Sequence, residues 1–306
     1  MSRGLRSPDS ARPVVVDECP VADGGEGTAE VLAASLGGSY VPARACDPLG
    51  REIEAGYTLL GDGETAVVET AAASGLTLVL PEERAAVAAS SMGTGDLIVA
   101  AARTGVRTIL VAVGGTATTD GGRGALEAIG QAGGIGNSSL IVLADVETVF
   151  EDAAVLFAPQ KGASSEQVRT LTARLKETAG SLPRSPLGVP RTGAGGGIAG
   201  GLWSACGARL VSGAGYVLDV LDFDQRLERA DAVVVGEGRL DRQSLKGKIV
   251  GNILDRALAA GKPCHAIVGS LGPDGDEARR AGFASVRTAS SPEEIETAAA
   301  ELGVEA

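Results

Sequence analysis

The sequence predicts an α/β protein built from a Rossmann-like parallel α/β domain and an inserted mixed α/β domain. Three observations carry that expectation. At 306 residues the chain exceeds what one hydrophobic core usually needs. From residue 222 onward, short Val- and Ile-rich runs alternate with helical stretches, the signature of βαβ units and a parallel sheet. Between residues 40 and 80 the texture changes to alternating runs separated by DPLGR and GDG, as in hairpins of a mixed sheet. The Rossmann-like part is accordingly placed at 1–41 and 218–306, and the inserted part at 42–217.

The elements follow in order. PVVVDECPVADGGEGTAEVLAASLGG (13–38) reads as strand, glycine-rich turn and a helix from Thr28 to Leu36. EIEAGYTLL, GDGETAVVE and LTLVL supply hairpin strands, and 82–104 reads as helical. TILVAVGG and LIVLADV are buried strands flanking the turn TATTDGGRG, and SSEQVRTLTARLKETA has helical periodicity. Residues 181–201, rich in Pro and then Gly, are the candidate for a long functional loop. Helices at 222–230, 245–261, 274–282 and 292–302 then alternate with the strands ADAVVVG, PCHAIVGS and ASVRTA.

Composition narrows the function. A net charge of −12, with no basic run, disfavours a nucleic-acid or anionic-membrane surface. Cys19, Cys46, Cys206 and Cys264 are far apart and form no CxxC, which points to free thiols; the lone His265 sits inside a strand-like run, the place of a core or strand-end histidine. No apolar stretch approaches the roughly 20 residues of a membrane helix, so a cytoplasmic protein is expected.

Ligands of open parallel sheets bind at the carboxyl ends of strands, where helix amino ends favour anions. Glycine-rich stretches with this promise are VADGGEGT (21–28), VGGTATTDGGRG (113–124), VVVGEGRLD (233–241) and the strandless PRTGAGGGIAGG (190–201). Glycines let backbone amides approach phosphate oxygens, and acidic residues among them tolerate a phosphate when Mg²⁺ lies between. Any one such loop is equally well explained as turn chemistry. The four together point to a magnesium nucleotide. There is no GxxxxGK[ST], and the GxGxxG of Gly195, Gly197 and Gly200 follows SPLGVPRT, which is no strand; a nicotinamide-dependent oxidoreductase is the weaker alternative it raises.

Seven stretches, in order across nearly the whole chain, resemble the glycerate kinase family: PVADGGEGT, DPLGR, ASSMGTGDLI, GGTATTDGGRG, FAPQKGA, GAGGGIAGGL and GEGRLDRQSLKGK. The resemblance implies ATP as phosphoryl donor, Mg²⁺, D-glycerate as acceptor, most often at its 2-hydroxyl, and an active site in a cleft between two domains. It leaves room for a homodimer. Phosphoryl transfer needs positioning and charge stabilisation, so carboxylates and lysines in these stretches are the candidates. Asp23, Asp120 and Asp241 are the candidates for metal binding or base work, with Glu26 and Glu237 in support. Lys161 and Lys248 are candidates for phosphate or the glycerate carboxylate, with a solvated surface lysine the equal alternative. Gly24, Gly25, Gly114, Gly115, Gly121, Gly236 and Gly238 fall on the nucleotide side, and Ser91, Thr94 and Gly195 on the substrate side. Helix capping explains the two hydroxyls as well. Arg51 and Glu69 read as structural or cleft-lining.

The sequence departs from the family at two places. The family opens with a strand and turn resembling KIVIAPDSFKGS, whereas Pro8, Asp9 and Ser10 lie only a dozen residues before Ala22. The opening strand and its lysine loop are therefore expected to be absent, through a start site placed too far downstream or in a natural remnant that binds nucleotide without catalysis. ADVETVFEDAAVLFAPQKGA is also a few residues shorter than the family's form and lacks its proline turn.

Overall fold

A computed structural model describes residues 1–5, 14–242, 244–245 and 248–305. The chain divides into two compact units, a larger one over 22–217 and a smaller one made of residues up to 21 and from 218 onward.

The larger unit is organised by a six-stranded sheet whose spatial order is its chain order: β1 (Gly38–Cys46), β2 (Glu52–Leu60), β3 (Thr65–Glu69), β4 (Thr108–Ala112), β5 (Ser139–Leu143) and β6 (Arg209–Val211). β1, β2 and β3 pair antiparallel, and β3 to β6 are parallel. The β1–β2 hairpin turns through DPLGR, where buried Asp47 accepts the amides of Leu49 (2.8 Å) and Arg51 (2.9 Å) and pairs with the Arg51 guanidinium. Arg51 also reaches Glu83, so it is a structural residue here. β3, β4 and β5 read as continuous apolar runs because both faces are covered. Ala66, Val68, Ile109, Val111, Leu140 and Val142 form a core with Leu97 and Ile98 of the helix Met92–Arg103 and with Ile198 and Leu202. A second cluster packs Phe150 against Leu171 and Leu175 of the helix Ser165–Ser181, which opens with a capping box between Ser164 and Gln167.

The smaller unit is a three-stranded parallel sheet, β7 (Val233–Leu240), β8 (Cys264–Leu271) and β9 (Ser285–Thr288). Val235, Ala266 and Val268 pack with Leu227, Ile253 and Leu254, and Ile267 packs on another side with Ala299 and Leu302. The four cysteines are free, and His265 Nδ1 lies 2.8 Å from Ser285 Oγ.

Several elements differ from the sequence expectation. Residues 22–41, assigned to the Rossmann-like part, pack in the larger unit: Leu32 is fully buried there, and Ala29 N donates to Glu69 at 2.9 Å. No strand forms over 14–20. Val15 is 93% exposed, and the segment is pinned instead by Arg226, which pairs with Asp17 (2.8 Å) and donates to the Glu18 carbonyl. Pro8, Asp9 and Ser10 lie outside the described residues. LTLVL holds a 3-10 turn at Leu76–Leu78 because its backbone is claimed by the 114–116 loop, with Leu76 N on Gly115 O at 2.8 Å. The helix expected from 82 begins only at Met92, after a 3-10 turn opened by Pro81. β7 does not end at Gly236 but runs through Gly236, Glu237 and Gly238 to Leu240, its ladder with β8 holding the glycines extended.

Candidate active site

Because β3 to β6 are parallel, their carboxyl ends share one edge of the larger unit, and the loops that follow them meet there. The turn after β6 presses on the 22–28 loop. A Cβ at Gly213 would stand 2.4 Å from the Asp23 carbonyl oxygen, and one at Gly24 would stand 2.7 Å from Gly213 Cα and 3.0 Å from Leu143 Cβ. Only glycine fits either place. Gly25 lies equally close to Gly114, at the end of β4, with Gly115 following. Asp23 is half-buried, and its Oδ1 accepts from Gly25 N at 3.2 Å.

Asp145, two residues past β5, accepts from Ser212 Oγ (3.0 Å) and from Ala214 N (3.1 Å to each oxygen). Burial pushes its carboxyl up to about 6 against the pull of those donors, and the nearby charge of Asp23 adds to the rise. At the end of β3, Glu69 caps the helix Thr28–Leu36 through Ala29 N. Burial raises its carboxyl as well, and Glu26 contributes.

The 113–124 loop holds the second group. Asp120 Oδ2 accepts from Ser91 N (2.9 Å), Ser91 Oγ (2.8 Å) and Gly124 N (3.1 Å), and its Oδ1 from Gly122 N (3.1 Å). One carboxylate thus braces the amino ends of two helices, Met92–Arg103 and Arg123–Gln131, and four donors occupy it. Both polar groups of Ser91 that donate here are thus committed to Asp120. Thr94 is also committed, its Oγ1 lying 2.7 Å from Ser74 Oγ in the core. Lys161 is only 5% exposed; its Nζ donates to Thr118 O (2.6 Å) and Thr116 Oγ1 (3.2 Å). Burial lowers its ammonium to about 8, partly opposed by Asp120. In the same loop, the buried hydroxyls of Thr118 and Thr119 make no hydrogen bond among the described residues.

The GAGGG stretch has a packing role. Gly195, Gly196 and Gly197 all have positive φ, and a Cβ at Gly196 would fall 1.9 Å from Thr118 O. Gly121 N donates to Gly196 O at 3.1 Å, and Gly195 faces Val113. These glycines serve the contact of two backbones, which removes the reason to read GxGxxG as a dinucleotide fingerprint.

In the smaller unit, Gly236, Glu237 and Gly238 line up along β7, and Glu237 Oε1 accepts from Gly238 N at 2.9 Å. Asp241 follows the strand, taking Ser244 N at 3.1 Å and facing Arg239 at 3.6 Å. An open depression there is lined by Arg239, Asp241, Pro273 and Asp274. Exposed Lys248 is the N-cap of the helix Ile249–Ala259.

The larger unit therefore brings together Asp23, Gly24, Gly25, Gly114 and Gly115, and joins Asp120, Gly121, Ser91, Lys161 and Gly195 around one loop. The smaller unit carries Gly236, Glu237, Gly238, Asp241 and Lys248. Sequence reasoning passed over Asp145, Thr118 and Thr119. An acidic residue directly after the buried run LIVLA was the available signal for Asp145.

The glycerate kinase family profile matches residues 1–135 and 132–303. The chain is 35% identical over 290 residues to glycerate 2-kinase of Escherichia coli K12, covering 83% of this chain and 76% of that one. It is 37% identical over 295 residues to glycerate kinase of Haemophilus influenzae, covering 84% and 77%. A crystal structure from Salmonella typhimurium LT2, described as glycerate kinase 2, superposes with a TM-score of 0.80 at 30% identity, over 99% of this chain and 91% of that one. With the fold, the ordered motifs and these relatives in agreement, the chain belongs to the glycerate kinase family and is a phosphotransferase.

Proposed function

We propose that this kinase transfers the γ-phosphoryl group of ATP to the 2-hydroxyl of D-glycerate with Mg²⁺. The observation that carries the reading is Lys161: an ammonium held out of water on the 116–119 loop, whose Thr118 and Thr119 carry buried hydroxyls without a partner among the described residues, in a chain akin to a glycerate 2-kinase. Keeping a charge there is costly, and an anionic group that it stabilises is the return.

The residues divide the task. Mg²⁺, when bound, neutralises charge on the phosphoryl oxygens, and Asp23 is the carboxylate that fits it, since one amide occupies Asp23 and four donors occupy Asp120. Gly25 and Gly115 are the less crowded glycines, where phosphate can approach the backbone, while Gly24, Gly114 and Gly121 are packed against Gly213, Gly25 and Phe150 and shape the loops around them. Lys161 steadies negative charge on the transferring group or on the glycerate carboxylate, and Thr118 and Thr119 offer hydroxyls. Asp120 and Ser91 hold the loop in place. In the smaller unit, Gly236, Glu237, Gly238, Asp241 and Lys248 are assigned to the nucleotide.

A coupled ADP-release assay with D-glycerate, with and without EDTA, tests the reaction, and ³¹P NMR of the product tests the position. ADP release that requires both Mg²⁺ and D-glycerate and yields 2-phosphoglycerate is expected. Formation of 3-phosphoglycerate would overturn the assignment of the hydroxyl, and full activity in EDTA that of the metal.

A further inference from the structure

Asp145 lies between the ends of β5 and β6 and takes no part in the roles above. Both of its oxygens are spent on the turn after β6, through Ser212 Oγ and Ala214 N. The end of β6, from which the turn starts, is tied to the residue after β5 by the bond from Ala144 N to Val211 O at 2.9 Å. On its far side, Gly213 touches Asp23 and Gly24 so closely that a single methyl group cannot be accommodated. The chain of contact is therefore continuous: β5, Asp145, the 212–214 turn, then the Asp23 loop. Its side-chain links are the Asp145 carboxylate and the Ser212 hydroxyl; the rest is backbone.

We infer that Asp145 is a positioning residue, which sets the height of the Asp23–Gly24–Gly25 loop by holding the Ser212–Gly213–Ala214 turn beneath it. The inference rests on the proposed role of Asp23. Transfer chemistry depends steeply on placement, and an error of about 1 Å costs on the order of 100-fold in rate. A carboxylate suits the task because it takes several donors at once, whereas asparagine would turn an N–H₂ toward Ala214 N.

The test uses Asp145→Asn and, by an independent route, Gly213→Ala, which leaves Asp145 intact and pushes on Asp23 directly. Hydrogen exchange of the peptide covering residues 21–28 is read alongside kinetics. Both variants are expected to speed exchange in that peptide and to lower kcat by about 10-fold or more, with KM for ATP changed less than about twofold. Ser212→Ala, a milder change that removes one donor, is expected to move both readouts in the same direction and serves if Asp145→Asn does not fold. Loss of kcat in Asp23→Asn, with unchanged kcat and exchange in Asp145→Asn and Gly213→Ala, overturns the inference alone. Full kcat in Asp23→Asn overturns the role of Asp23 and the inference with it.

Discussion

Replacing Lys161 with methionine separates stability from activity. The shift of the ammonium from 10.5 to about 8 amounts to about 3 kcal/mol against the charged form in the folded protein. Methionine has nearly the same length, removes that penalty, and forfeits the bonds to Thr116 Oγ1 and Thr118 O, roughly 1.5–3 kcal/mol net each for a charged donor. The two effects oppose one another, so Lys161→Met should lower stability at pH 7 by no more than about 3 kcal/mol. Activity should fall on the order of 100-fold or more, as when a stabilising charge leaves a phosphoryl-transfer site. The pH dependence gives a second readout. Between pH 8 and 10.5 the folded lysine is neutral while the unfolded one still holds its proton, so the unfolded state binds more protons and stability rises with pH. Urea unfolding at pH 7.5 and pH 10 should show this rise, up to about 3 kcal/mol, in the wild type relative to the variant. An equal pH slope in both proteins, or full activity in the variant, would refute the reasoning.

Three further outcomes follow from the geometry. Asp120→Asn keeps the shape but cannot receive four donors, so it should destabilise the larger unit by about 2–4 kcal/mol, seen as a lowered Tm. Gly196→Ala combines a positive φ with a Cβ 1.9 Å from Thr118 O and should cost about 3 kcal/mol or more by denaturant unfolding. Gly238→Ala meets no atom within 4 Å and keeps an ordinary φ, so it should stabilise by about 0.5 kcal/mol. If Gly238 is bare so that nucleotide can approach, its KM for ATP should nevertheless rise; an unchanged KM would remove Gly238 from the nucleotide site.

Much of the fold was legible because the signals were local. The helix Thr28–Leu36 is bracketed by its own glycines, Gly27 and Gly37, and β4 and β5 announce themselves as apolar runs covered on both faces. SSEQVRTLTARLKETA declared its helix by periodicity, and in the structure Ser164 and Gln167 close its start with a reciprocal cap. The glycines in GEG misled for the same local reason: they look like a turn, yet the ladder to β8 draws Gly236 and Gly238 into β7, since backbone pairing outweighs their weak strand preference. Val14 to Val16 misled in the opposite sense, being apolar and β-branched but not forming a strand among the described residues.

What the sequence by itself determined was the family, the α/β class and the set of glycine and acidic stretches, all of which depend on residue type and order along the chain. Which member of each stretch is free for chemistry was decided only by the tertiary structure. Asp23 and Asp120 look alike in sequence, but folding surrounds Asp120 with four donors from two helix ends and leaves Asp23 with one. Burial likewise sets Lys161 apart from exposed Lys248. Solvation and hydrogen-bond occupancy arise from neighbours distant in the chain, and those neighbours exist only once the strands have brought them to one edge.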